Sequence, residues 1–151
     1  MSFNKRRAFT FALVLLIVLT LCFIWGNSLL DSSSSAELSN GLLDKLSPFL
    51  AMLGIELEDD LLLRKLAHFC EFFALGSELA ALMLLWNQRR VLLCCSCISG
   101  LAGLVDETIQ FFTGRYSHVH DVLLDSFGGI CGTLATMLII ALIIRKKTGE
   151  I

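Results

Sequence analysis

The chain has 151 residues, 56% of them hydrophobic, one proline and a formal net charge of −2; its mean hydropathy is +0.76. Ordinary soluble domains are about 45–50% apolar, so this composition excludes one, and nothing in it provides the basic surface a nucleic acid needs. What remains is a protein that lives in a lipid bilayer.

In chain order, four apolar runs stand out, at about residues 8–25, 66–86, 91–112 and 122–144. A spanning helix takes about 17–25 mostly apolar residues, and all four runs qualify. The expected fold is an all-α integral membrane four-helix bundle, one membrane domain over residues 1–151. The first run has the basic start of a signal peptide. It lacks a following small-x-small cleavage site and exceeds the usual apolar core of about 7–15 residues, so it reads as a span.

Between the first and second runs lies a polar loop, residues 27–63, serine-rich at Ser32–Ser35. Within it Leu38, Leu42, Leu46, Phe49 and Leu53 recur at helical spacing, and Ser47-Pro48 reads as an N-cap followed by a first-turn proline. A short amphipathic helix on the outer membrane surface or over the bundle is the expectation. The connections after Trp86 and after Phe112 are short, which makes antiparallel neighbours of the second and third spans and of the third and fourth.

Charge segregation sets the orientation. Lys5, Arg6 and Arg7, then Arg89 and Arg90, then Arg145, Lys146 and Lys147 fall on one side of a four-span chain. The positive-inside rule makes that side cytoplasmic, together with both termini. The long loop, rich in Asp and Glu, is then external.

The six cysteines form no disulfide pattern. Cys94-Cys95-Ser96-Cys97 holds a CxxC spacing, but a zinc site of that type needs a second ligand pair, and none is visible. Packing in a reducing compartment accounts for them.

The chemistry concentrates at the mouths of three spans. On the second, Arg64, His68, Glu71, Leu75 and Glu78 share one helical face. On the third, Ser96, Gly100, Gly103, Glu107 and Gln110 make a stripe, small below and polar above, with Asp106 beside it. On the fourth, Asp121, Asp125, Gly128 and Gly132 do the same, and Gly128-x-x-x-Gly132 has the spacing of a close helix crossing, expected between spans three and four. At 1.5 Å per residue, Glu71, Glu107 and Asp125 lie about 5–8 Å inside their spans. Arg64, Lys65, Arg115, His118, His120 and Asp121 would ring the entrance.

Charges inside a bilayer cost several kcal/mol unless paired or wetted, so they are rare and mark function. The plain alternative is that they hold the bundle together, since polar side chains do act as glue between membrane helices. Two catalytic readings stand beside it: acids with His68 or His118 holding a divalent metal that activates water, or acid–base groups acting on a phosphate held by Arg64, Lys65 and Arg115. The residues carry no established hydrolase signature, and neither a cofactor nor a metal-ligand set is assigned.

Three ordered motifs carry a resemblance. Arg64-Lys65-x-Ala67-His68-Phe69-x-Glu71-Phe72-x-x-Leu75-Gly76, Asp106-Glu107-x-x-Gln110-x-Phe112-x-Gly114-Arg115 and Asp121-Val122-x-x-Asp125-x-x-Gly128 resemble the VanZ-like family over about residues 27–132. The chain departs from the family pattern at His120, where relatives often carry arginine, and at Asp125, where many have asparagine. The resemblance implies a multi-pass protein of the bacterial cytoplasmic membrane. It also implies a link to susceptibility to teicoplanin, a glycopeptide antibiotic with a lipid tail; it implies no known reaction.

The expected function is therefore an outward-facing charged pocket that binds an anionic lipid or a lipid-linked envelope precursor. Arg64, Lys65 and Arg115 would meet phosphate. His68, Glu71, Asp106, Glu107, Gln110, Asp121 and Asp125 would line the pocket. The alternative is a membrane enzyme acting on a lipid headgroup with the same acids and histidine. Membrane lipids are the expected partners, no nucleic acid is, and a homo-oligomer stays open.

Overall fold

The computed structural model describes residues 3–30, 60–115 and 119–149, with single positions at 37, 41, 44, 45, 47, 48 and 52. Four helices account for nearly all of this: α1 Phe3–Ser28, α2 Asp60–Leu85, α3 Val91–Phe112 and α4 Val119–Thr148. Among the described residues there is no strand, and all four helices are long and apolar enough to cross a membrane. The shortest, α3, has 22 residues, about 33 Å at 1.5 Å per residue, enough for a hydrocarbon layer of about 30 Å. The amphipathic outer-loop helix falls almost wholly outside the described residues.

Successive helices alternate in direction. Arg6 at the start of α1 donates to the carbonyl of Leu85 at the end of α2 at 2.6 Å, while Asn27 at the end of α1 reaches Glu71 near the start of α2. The three basic clusters thus share one end of the bundle, and the polar residues of α2, α3 and α4 gather at the other.

The tightest packing joins α2 to α4, which run parallel. A Cβ on Gly76 would overlap the carbonyl of Gly129, and one on Gly132 would overlap the carbonyl of Phe73. The Thr133 hydroxyl donates to the Gly76 carbonyl at 3.2 Å and Ser77 to the Gly132 carbonyl at 3.2 Å. Small residues bring the two backbones together, and the contact that results supplies the attraction that hydrophobicity cannot supply within lipid. This corrects the expectation of a glycine crossing between spans three and four. The α3 helix meets α4 at the same stripe through Ser99 against Gly129 and Gly103 against Asp125, but the backbone-to-backbone approach belongs to α2. Glycines on α4 occupy two adjacent faces, and spacing alone does not say which neighbour comes closer.

The interior apolar cluster is small and includes Ile24, Phe72, Leu75, Leu79, Ala80 and Cys95. Outward-facing side chains are apolar along whole helices, for example Phe11, Leu19, Leu101, Leu138 and Ile143. An apolar exterior on a small core is the arrangement of a bundle solvated by lipid tails.

Two helix ends carry the same terminal motif. After α2, the amide of Gln88 bonds Met83 and that of Asn87 bonds Leu84; after α3, the amide of Arg115 bonds Gln110 and that of Gly114 bonds Phe111. Both are Schellman caps, with the αL position held by Asn87 (φ 57°) and Gly114 (φ 74°). The second cap matters for the site, because it folds the chain back over the end of α3 and sets where Arg115 starts.

Candidate functional site

At the end of the bundle opposite the basic clusters, polar side chains from all four helices converge. Asp106 on α3 is wholly buried and sits at the centre. Its Oδ1 accepts from the Ser28 hydroxyl at 2.6 Å and its Oδ2 from the Gln110 amide at 2.7 Å. The i, i+4 spacing of Asp106 and Gln110 makes their contact local, whereas Ser28 arrives from the last turn of α1. Gln110 also donates to the Ser28 hydroxyl at 3.3 Å, closing a three-member network.

Beside this network stands His68 on α2. Its Nδ1 lies 3.8 Å from Asp106 Oδ2 and 3.8 Å from Glu71 Oε2, too far for a hydrogen bond to either. Glu71 is held instead by the Asn27 amide, which donates to Oε1 at 3.1 Å. Asp125 on α4 completes the floor. It is 1% exposed, and neither carboxylate oxygen has a hydrogen-bond partner. One donor atom each from His68, Asp106 and Asp125 lies within 4.8 Å of the others.

Cations stand over these acids. Arg115 is buried, and its Nη1 donates to the carbonyl of Asn27 at 3.3 Å. Burial and the neighbouring Arg64 push the Arg115 guanidinium below its ordinary pKa, against the opposing pull of Asp106, Glu107 and Glu71. A guanidinium keeps its charge in proteins even so. Arg64 reaches both His68 and Arg115 electrostatically and has no ion-pair partner among the described residues. Lys65 is half exposed and pairs with Asp121 at 3.7 Å, a solvent-facing contact worth at most about 1 kcal/mol.

The sequence model of the VanZ/LLP1 family matches residues 9–142, which takes in part of every helix and all of these polar residues. The chain belongs to the VanZ/LLP1 family. No curated protein and no solved structure matches it significantly. The family match extends the resemblance seen in the three motifs through α1, and α1 contributes directly to the site.

Measured against expectation, this VanZ/LLP1 protein brings His68, Glu71, Asp106, Gln110, Arg115 and Asp125 into one cluster. Glu107 is buried next to them. Lys65 and Asp121 pair at the rim, His120 is exposed, and His118 lies outside the described residues. The predicted α3 stripe is rotated: the inward face runs through Cys95, Ser99, Ala102, Gly103, Asp106, Glu107 and Gln110, while the Ser96 hydroxyl bonds its own helix at the Leu92 carbonyl. Asp106 therefore holds the centre.

Sequence reasoning misses Asn27 and Ser28, because it places them at the start of the outer loop. The signal available was Asn27-Ser28 following an apolar run, where polar side chains can turn inward from a final helical turn. Glu78, deeper in α2, stands apart from the cluster and accepts from the Thr20 hydroxyl at 2.9 Å.

Proposed function

We propose that the cluster is the floor of a binding pocket for the phosphate-bearing headgroup of an anionic lipid or lipid-linked envelope precursor. In this reading the pocket faces outward from a bacterial cytoplasmic membrane. The observation that carries it is the pairing of like charges at the mouth. Arg64 and Arg115 sit within mutual electrostatic reach, and Arg64 lacks an ion-pair partner among the described residues. Two guanidinium groups within electrostatic reach of each other favour an incoming anion, and a phosphate accepts charge-assisted, bidentate hydrogen bonds from arginine. Lys65 adds a third cation at the same rim. The wall of exposed apolar side chains below would leave the ligand's acyl chains in the membrane while its headgroup entered. Protection against a lipid-tailed glycopeptide, the trait behind the family's name, would then follow from altered handling of a lipid-linked envelope component.

A second reading, an enzyme that modifies the same headgroup, is favoured by one observation. The His68 imidazole lies against two carboxylates without a hydrogen bond to either, an arrangement open to acid–base work once substrate arrives.

Native mass spectrometry of the intact protein in mild detergent tests the binding reading. A co-purified phospholipid or lipid-linked phosphate, lost in Arg64→Leu and Glu107→Gln while both proteins accumulate at near-normal levels, is the expected result. A headgroup released or altered on incubation would favour the enzyme. Degradation of both variants, or full retention of ligand by both, would assign the charged mouth to structure alone and end the binding reading.

A further inference from the structure

We propose that His68, Asp106 and Asp125 form a binding site for a divalent transition-series cation of the zinc or manganese class.

The argument begins with Asp125. Burying a polar group without a hydrogen bond costs about 2–7 kcal/mol, and a carboxylate costs more unless it is paired or bound to a metal. Asp125 is 1% exposed with both oxygens unsatisfied. Its neighbours cannot relieve it. Across from it α3 presents Gly103, where a Cβ would stand 3.2 Å from Asp125 Oδ2, so the absence of a side chain there makes room for the carboxylate and offers no donor to it. The groups that do face Asp125 electrostatically are Asp106, Glu107, Asp121 and Glu71, all acids. Among the described residues no cation pairs with Asp125, so the position suits a bound one.

The other two ligands are prepared for one. Asp106 has each oxygen fixed by a separate donor, Ser28 on Oδ1 and Gln110 on Oδ2. Hydrogen bonds of this kind orient ligating carboxylates in metal sites. An ionised carboxylate accepts at about four lone-pair sites, so these two bonds leave it capacity to ligate. His68 leaves Nδ1 without a partner, on the side facing Asp106 at 3.8 Å.

The three donor atoms lie within 4.8 Å of one another. A tetrahedral ion with ligands at about 2.0–2.1 Å holds them about 3.3 Å apart, so binding would draw the three side chains inward. One imidazole with two carboxylates suits zinc or manganese better than magnesium or calcium, which take all-oxygen shells. Three protein ligands leave coordination positions open, as in sites that bind or activate an exogenous ligand. That the fourth ligand is a phosphate oxygen rests on the proposed function; the metal site itself does not.

The test uses full-length protein in detergent, stripped with chelator and titrated with zinc chloride, with Cys94 and Cys97 replaced by serine so that this CxxC pair does not compete. One equivalent of zinc per chain is expected. Asp125→Asn and His68→Gln should each weaken binding at least tenfold, and Ser28→Ala by about 10–100-fold through loss of ligand orientation. Glu78→Gln, a carboxylate outside the trio, should bind as the parent does. Helical content and monodispersity are checked for every variant. His68→Gln keeps the test decisive if Asp125→Asn fails to fold, because the two residues come from different helices. A folded parent that takes up no zinc, or a folded Asp125→Asn or His68→Gln that binds as tightly as the parent, would overturn the assignment. Arg64→Leu separates the two proposals: it should lose the phosphate-bearing lipid and keep the metal.

Discussion

The Ser28 hydroxyl donates to the Asp106 carboxylate at 2.6 Å, and both side chains are wholly buried. This bond ties the last turn of α1 to the middle of the polar cluster on α3. Removing it with Ser28→Ala leaves a buried carboxylate oxygen short of its donor, at a cost of about 1–3 kcal/mol. Reversible unfolding in mixed detergent should register that loss. Combining the change with Asp106→Ala should give less than the sum of the two single effects, because both remove the same interaction. Strict additivity would mean the two residues do not interact in the membrane.

The close crossing of α2 and α4 predicts that enlarging a residue to leucine has very different effects at two places on α4. At Gly132 any side chain meets the carbonyl of Phe73, and the Ser77 hydroxyl oxygen is 2.9 Å from the Cβ position. Ala141 is exposed on the lipid-facing half of α4. Gly132→Leu should therefore destabilise by about 1–3 kcal/mol or more through overpacking, while Ala141→Leu should stay within about 0.5 kcal/mol of the parent. Thermal denaturation of the two variants in the same detergent decides it. Equal melting behaviour would remove the crossing.

Gly114 and Asn87 hold equivalent positions in two helix caps, and their substitutions should differ in sign. At φ 74°, Gly114→Ala places a Cβ in the left-handed region at a cost of about 1–2 kcal/mol. It also disturbs the turn from which Arg115 enters the pocket. Asn87 already bears that strain at φ 57°, so Asn87→Gly should be neutral or slightly stabilising. Melting temperature separates the pair. Only Gly114→Ala should also weaken retention of a phosphate-bearing lipid, measured as the bound fraction in native mass spectra.

Orientation is open to a direct chemical check. The basic clusters predict that both termini are cytoplasmic and that the segment between α1 and α2 is external. In a background with the native cysteines replaced, a membrane-impermeant maleimide applied to intact cells should label Gly41→Cys and leave Lys147→Cys unlabelled. The reverse pattern would turn the pocket towards the cytoplasm and exclude an external ligand.

The number of spans, their approximate limits and their alternation are determined by the sequence alone, for a physical reason. A bilayer core offers no hydrogen-bond partners, so each crossing must be a continuous helix of fixed minimum length, and an apolar run of that length declares itself without reference to its neighbours. The acids, His68 and Arg115 were legible for a related reason: charge within a bilayer is costly wherever it packs.

The rotational setting of each helix was decided only by tertiary structure. On α3, Asp106 and Glu107 are adjacent and both carry a carboxyl group. Asp106 holds the centre of the cluster because Ser28, 78 residues away in sequence, supplies its donor. The choice of α2 as the close partner of α4 rests likewise on where Gly76 meets Gly129, a match of two small surfaces that hydrophobic periodicity does not encode. The trio of His68, Asp106 and Asp125 comes from three different helices. Its members become neighbours only when the glycine faces have fixed the spacing and register of the bundle.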